Sequence, residues 1–205
     1  MSFSIYQLKP AFQQLLRPLL AQLTKWHVTP NQVTLLATAL SVVYGAVLAL
    51  HPSDLRLWAG VPFFMLLRMA LNAIDGMLAN FTGLKSRLGA VLNELGDQVS
   101  DVALYLPFAL ATGIQAPLVV GVTVAALLAE FAGVLALQVG SPRRFDGPMG
   151  KSDRAFAFGL LALMLVFGAS PLWLNGLLWL VLGLAVWTVF NRLRAALHYG
   201  PPPTP

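Results

Sequence analysis

The sequence predicts an all-α polytopic membrane protein, six transmembrane helices following an N-terminal interfacial amphipathic helix. Three observations predict it. Of the 205 residues, 58% are hydrophobic and only 10% charged, with a mean hydropathy of +0.74, more apolar than a soluble core of this size requires. Six apolar stretches of spanning length are set off by polar or Pro/Gly breaks. The cations fall almost entirely on alternate connections, as membrane topology demands. The expected organisation is residues 1–28 as interfacial helix and linker, 29–198 as the six-helix domain and 199–205 as a disordered Pro-rich tail.

Taken in order, Ile5 to Trp26 mixes Leu15, Leu16, Leu19, Leu20 and Leu23 with Lys9, Gln13, Gln14, Arg17 and Lys25 at helical spacing, the pattern of a helix lying in the bilayer surface. Thr29, Pro30 and Asn31 make a helix start, with Thr29 or Asn31 available to cap. The spans are then expected at Val33 to Leu50, Leu57 to Asn80, Leu88 to Ala111, Pro117 to Gly140, Ala155 to Ala169 and Leu172 to Asn191. The fifth is short and is expected to begin near Lys151. Arg192 and Arg194 close the last helix, where cations favour the C-terminal dipole.

A net charge of +5 and a pI near 10.0 would suit a nucleic-acid binder, but the position of the charges argues against one. With a cytoplasmic N-terminus, the cytoplasmic side receives Lys9, Arg17, Lys25, Lys85, Arg87, Arg143, Arg144, Lys151, Arg154, Arg192 and Arg194, and the opposite side Arg56 alone. Both termini and the connection between the second and third spans are therefore expected in the cytoplasm, in a bacterial inner membrane. Such a surface attracts anionic headgroups and phosphates. The chain has no cysteine, which excludes disulfides and thiol ligands, and no basic start with a following apolar run to suggest a cleavable signal peptide.

Polar residues interrupt the apolar pattern most strongly between Asn72 and Asp101. Residues three or four apart share a helix face, so Arg68, Asn72, Asp75 and Ala79 line the second span, and Asn93, Asp97 and Asp101 the third. Counting back from the linker places Asp75 opposite Asn93, Asn72 opposite Asp97 and Arg68 opposite Asp101, with ~5 Å between rungs at ~1.5 Å rise per residue. Hard divalent cations prefer oxygen ligands, so Asn72, Asp75, Asn93 and Asp97 form an expected site for Mg²⁺ or Mn²⁺. Arg68 in mid-helix and Glu130 in the fourth span each require a partner, and Arg68 is expected to form a structural ion pair with Asp101 or Glu130. In the loop SPRRFDGPMGKSDR, Lys151 and Arg154 at a helix start suit a phosphate, with Ser152 or Asp153 as cap; Arg143 and Arg144 fit topology-setting charges equally well.

At these positions the chain resembles the class-I CDP-alcohol phosphatidyltransferase family, whose signature is D-x-x-D-G-x-x-A-R, eight or nine residues, then G-x-x-x-D-x-x-x-D. Here it reads Asn72-Ala-Ile-Asp75-Gly76-Met-Leu-Ala79-Asn80, and after eight residues Gly89-Ala-Val-Leu-Asn93-Glu-Leu-Gly-Asp97. The six-helix plan and the TPNQVTLL start extend the likeness over most of the chain. The resemblance implies attack of an acceptor hydroxyl on CDP-diacylglycerol or a similar CDP-lipid, with release of CMP. It makes Asp75 a metal ligand and Asp97 both the general base and a metal ligand. It assigns nucleotide contacts to Asn31, Thr34, Asp75, Gly76, Ala79, Asn80 and Gly89, and an acceptor phosphate to Lys151 and Arg154. It also implies a homodimer.

Asn72 and Asn93 replace two aspartates of the signature, and Asn80 replaces its arginine. Loss of two negative charges predicts weaker metal binding and one tightly held ion instead of two, with Glu94 and Asp101 as the carboxylates able to restore charge. Two other readings compete: a CDP-lipid-binding protein without turnover, and a small ion or metabolite transporter. Against transport, the polar residues gather towards one face and leave the outer halves of the helices apolar.

Overall fold

The computed structural model describes residues 9–200. Ile5 to Leu8 of the expected amphipathic helix, and the PPPTP tail, lie outside the described residues. Helix α1 is Lys9–Lys25, α2 Pro30–Leu50, α3 Leu55–Thr82, α4 Arg87–Tyr105, α5 Ala116–Leu135, α6 Lys151–Val166 and α7 Pro171–Leu197. Short 3₁₀ turns, Leu106–Leu110 and Ala136–Val139, follow α4 and α5.

The boundaries follow from local chemistry. Thr29 caps α2 through a capping box with Gln32, which frees Asn31 from that task. Gly83, at φ 71°, closes α3 in the left-handed conformation, and the Ser86 hydroxyl accepts from the Gly89 amide to start α4. The expected third span is shorter as an α-helix than its apolar pattern suggests. Pro107, which has no amide hydrogen to donate, falls just past Tyr105, and the chain tightens into a 3₁₀ turn there. The last helix instead runs on past Asn191 to Leu197, because Arg192 is buried against the bundle.

Polarity is inverted relative to a water-soluble protein. Phe63, Phe131, Trp179 and Trp187 are exposed, whereas Arg68, Asp75, Asp97, Asp101, Glu130, Arg154 and Arg192 are buried. Among the described residues, four helices are long and apolar enough to cross a membrane: α2, α3, α5 with its 3₁₀ extension, and α7. Helix α4 falls short of that description because Arg87, Glu94, Asp97 and Asp101 dilute its hydropathy. Helix α6 does so because its 16 residues extend only about 24 Å at ~1.5 Å per residue.

Helix α2 packs against both α3 and α4, α3 against α6, and α5 against α7. Helices α3 and α4, although joined by a four-residue turn at 83–86, do not pack backbone to backbone; their polar side chains meet across a gap. Helix α1 lies on this face, burying Leu20 with Val33, Ile74 and Leu78 while Leu15 and Leu19 stay exposed. Below the polar groups an aromatic stack, Tyr105 on Phe158 with Phe108 and Trp58 edge-on, fills the core.

Gly45 is what lets α2 approach α4, since a Cβ there would run into the Ala103 carbonyl. Gly45→Val should therefore wedge the pair apart at a cost of about 1–3 kcal/mol. Thermal unfolding in detergent micelles checks this; an unchanged midpoint would mean that the two helices are not in close contact.

Candidate active site

The site lies at the end of the bundle where α2, α4 and α6 begin and α3, α5 and α7 finish. Its centre is two crossed amide–carboxylate pairs. The Asn72 amide donates to Asp97 Oδ1 at 2.6 Å, and the Asn93 amide donates to Asp75 Oδ2 at 3.0 Å. Each helix supplies one amide and one acid, so the pairs form without two carboxylates facing each other. Asp75 Oδ2 also accepts from the Thr34 hydroxyl at 2.8 Å, which ties α2 to the same point. One rung deeper, Arg68 pairs with Asp101 at 2.6 Å. All three cross-helix pairs expected from the register are present.

Around this centre runs a continuous ionic network. Lys151 pairs with Asp97, whose other oxygen lies 3.6 Å from Arg68. Arg154 bridges Asp101 at 3.1 Å and Glu130 at 3.0 Å, and Arg192 reaches Glu130 at 3.3 Å. Arg143 clamps Glu94 with both guanidinium branches and also touches Glu130 at 3.4 Å. The loop 140–150, which carries Arg143 and leads into Lys151, is held by hydrogen bonds that include Arg144 amide to Gly133 carbonyl, Met149 amide to Thr188 hydroxyl, and Arg192 to the Asp146 carbonyl. Gly147, at φ 122°, passes so close to Thr188 that a side chain would not fit.

Two expectations need correction, and one is narrowed. Arg154 does not face an acceptor: its side chain is 0% exposed and held by Asp101, Glu130 and the Met149 carbonyl. Of the two partners expected for Arg68 the structure has Asp101, and Glu130 pairs with Arg154, which α6 inserts between the α4 and α5 acids. Glu94 and Asp101 do not restore the missing charge, since one is clamped by Arg143 and the other is shared by Arg68 and Arg154. The role of Arg143 and Arg192 in this network was hidden in the sequence. The available signal was Glu130 itself, a buried acid that needed more than one cation.

The remaining residues surround the crossed pairs. A Cβ on Gly89 would come within 2.8 Å of Asn31 Oδ1, so these two adjoin at the rim, and Gly76 faces open space. Ala79 and Asn80 lie one turn further along α3, where Asn80 lines a cleft of about 700 Å³ between α1 and α3. Arg17, Gln13 and Gln14 line the same cleft, so α1 brings a cation near the position where the signature has arginine.

With this geometry in hand, comparison with known proteins decides the family. A family model described as CDP-alcohol phosphatidyltransferase matches residues 27–189. The chain belongs to this family. The inner membrane protein YnbA of Escherichia coli is 46% identical, over 95% of this chain and 96% of that one. A phosphatidylinositol phosphate synthase of Corynebacterium glutamicum is 30% identical over 92% and 86% of the two chains. The fold matches that of a Mycobacterium tuberculosis phosphatidylinositol phosphate synthase, solved in complex with manganese and citrate, at TM-score 0.73 and 24% identity over 88% of each chain. The same enzyme with CDP-DAG bound matches at TM-score 0.72, covering 88% of this chain and 92% of that one. As a CDP-alcohol phosphatidyltransferase the protein is a membrane enzyme of phospholipid synthesis; the divalent ion in the comparison is the manganese of the Mycobacterium tuberculosis enzyme.

The donor set fits such a metal. Asp75 and Asp97 supply carboxylate oxygens, and with their amide nitrogens on the acids, Asn72 and Asn93 have their Oδ1 atoms to offer. No group of three or more Asp, Glu, His or Cys side chains placed to hold a metal ion occurs among the described residues, so two of the four oxygen donors have to be the neutral amides.

Removing a buried cation should expose the importance of the network. Arg154→Met leaves Asp101 and Glu130 each short of a partner and should cost about 3–5 kcal/mol, with Arg68→Met destabilising in the same direction. Thermal melts in micelles measure both; wild-type stability in either would dismiss that residue as a structural counter-ion.

Proposed function

We propose that the protein transfers a phosphatidyl or related phospho-alcohol group from a CDP-linked lipid to an acceptor hydroxyl, releasing CMP at the cytoplasmic face of a bacterial inner membrane. The observation that carries this reading is the pair of crossed Asn–Asp contacts between α3 and α4, two carboxylates and two amides gathered at the end where a nucleotide can arrive. Six spans, cytoplasmic termini and a homodimer complete the arrangement. The cation bias and the even number of helices after α1 support the topology, and α1 rests on the membrane surface through Leu15 and Leu19.

In this reading Asn31, Thr34 and Gly89 border the cytidine diphosphate, and Gly76 and Ala79 let it lie close to α3. Asn80 and Arg17 meet its outer edge. A divalent ion held by Asp75, Asp97 and the oxygens of Asn72 and Asn93 would neutralise charge on the pyrophosphate. Asp97 accepts the proton of the acceptor hydroxyl as its oxygen bonds to the lipid-linked phosphorus, and the bond from that phosphorus to the CMP oxygen breaks. Lys151 orients the Asp97 carboxylate and balances its charge.

Asp97→Asn should abolish CMP release from CDP-diacylglycerol while leaving the melting profile intact; retained turnover would remove Asp97 from the chemistry. Asn93→Asp adds a charged ligand and should tighten Mn²⁺ binding roughly tenfold in a direct titration, whereas an unchanged titration would place Asn93 outside the coordination sphere. The loss of two carboxylates favours one second reading, a CDP-lipid-binding protein without turnover. Saturable CDP-diacylglycerol binding with no CMP release from any acceptor would establish it.

A further inference from the structure

Five cations surround the floor of the site, and all of them end on carboxylates of the chain itself. Arg68 and Lys151 take Asp97 and Asp101, Arg154 takes Asp101 and Glu130, Arg192 takes Glu130, and Arg143 takes Glu94 and Glu130. Against these five stand four acids, so the network carries little surplus charge to offer a dianion.

Glu130 is the telling member. Its Oε1 meets Arg154, while Oε2 meets both Arg143 and Arg192, three guanidiniums arriving from the 140–150 loop, α6 and α7. Converging guanidiniums from separate elements are how proteins hold a phosphate. Here the place is filled by a carboxylate rooted on α5 and only 4% exposed. Arg154 and Arg192 cannot swing towards an incoming ligand, since they are 0% and 2% exposed and also bonded to the Met149 and Ala129 carbonyls. Arg143 and Lys151, the more open cations at 29% and 28% exposure, are committed to Glu94 and Asp97.

We propose that Glu130 is a built-in counter-anion that selects the acceptor: it fills the guanidinium cluster a phosphate monoester would need, and so the hydroxyl acceptor is an alcohol carrying no phosphate. This rests on the transferase reading and names its second substrate by class. A phosphorylated acceptor would have to displace a buried carboxylate or bring two negative charges against Glu130 and Glu94. Discrimination of this kind works by placing a repulsive group against the wrong ligand. An uncharged polyol or an amino alcohol meets no such obstacle.

The test uses the full-length protein in nanodiscs with CDP-diacylglycerol and Mn²⁺, and compares CMP release for paired acceptors: glycerol against glycerol 3-phosphate, inositol against inositol 1-phosphate, with serine and ethanolamine added. The expected result is at least a tenfold higher kcat/KM for the unphosphorylated member of a pair, or for an amino alcohol; preference for the phosphorylated members overturns the proposal. Glycerol 3-phosphate and inorganic phosphate are also titrated calorimetrically into the wild-type protein, where no saturable binding is expected. Saturable sub-millimolar binding overturns the proposal even if no acceptor supports turnover, whereas absent CMP release alone counts against the transferase reading. Glu130→Gln should gain phosphate binding and shift KM for glycerol 3-phosphate downwards, while Glu130→Asp should keep the wild-type preference. If Glu130→Gln does not fold, the wild-type titration decides.

Discussion

The buried guanidinium of Arg154, shared between Asp101 and Glu130, is the constraint on which the rest of the structure depends. It joins α6 to α4 and α5, and through Asp101 to Arg68 on α3 and through Glu130 to Arg192 on α7. Five helices are thereby tied by charges that an apolar surrounding would not tolerate singly. Lipid offers little hydrophobic force to drive helices together, so such pairs and the close approach at Gly45 set the relative placement of the helices. The aromatic stack beneath, from Tyr105 to Trp58, then seals the polar end from the other half of the bundle.

That rigid frame explains how α3 and α4 can face one another without packing. Each is held from behind, α3 by α6 and both by α2, so the gap between them is kept open and is spanned only by side chains. The exchange of aspartate for asparagine at positions 72 and 93 suits this arrangement. Four facing carboxylates need compensating cations to coexist, whereas two acids and two amides satisfy each other directly. Lys151 and Arg68 complete the balance on Asp97.

Much of this was legible in the sequence. A period of three to four residues fixed which residues of Arg68 to Asp101 share a face, and counting from the Gly83 turn fixed the rungs, because both quantities are local. The family followed from signature residues that survive as Asp75, Gly76, Ala79, Gly89 and Asp97. What could not be read were contacts between helices distant in sequence. Arg154 resembled a phosphate ligand at a helix start, and only the packing of α6 between α4 and α5 revealed it as a counter-ion. Glu94 lies about 100° around α4 from Asn93, and its partner Arg143 sits on an irregular loop whose course no periodicity describes. The boundary at Tyr105 was missed because an apolar run conceals a change from α to 3₁₀.

The central claim is that oxygens turned inward from α3 and α4 hold a divalent ion under a pyrophosphate. Anomalous diffraction from crystals grown with Mn²⁺ and a CDP-lipid tests it most directly. The account predicts a single manganese peak between the two helices, bonded to Asp75 and adjoining the nucleotide phosphates. A peak at the Glu94 and Glu130 cluster instead, or a nucleotide bound away from the α3–α4 gap, would contradict it.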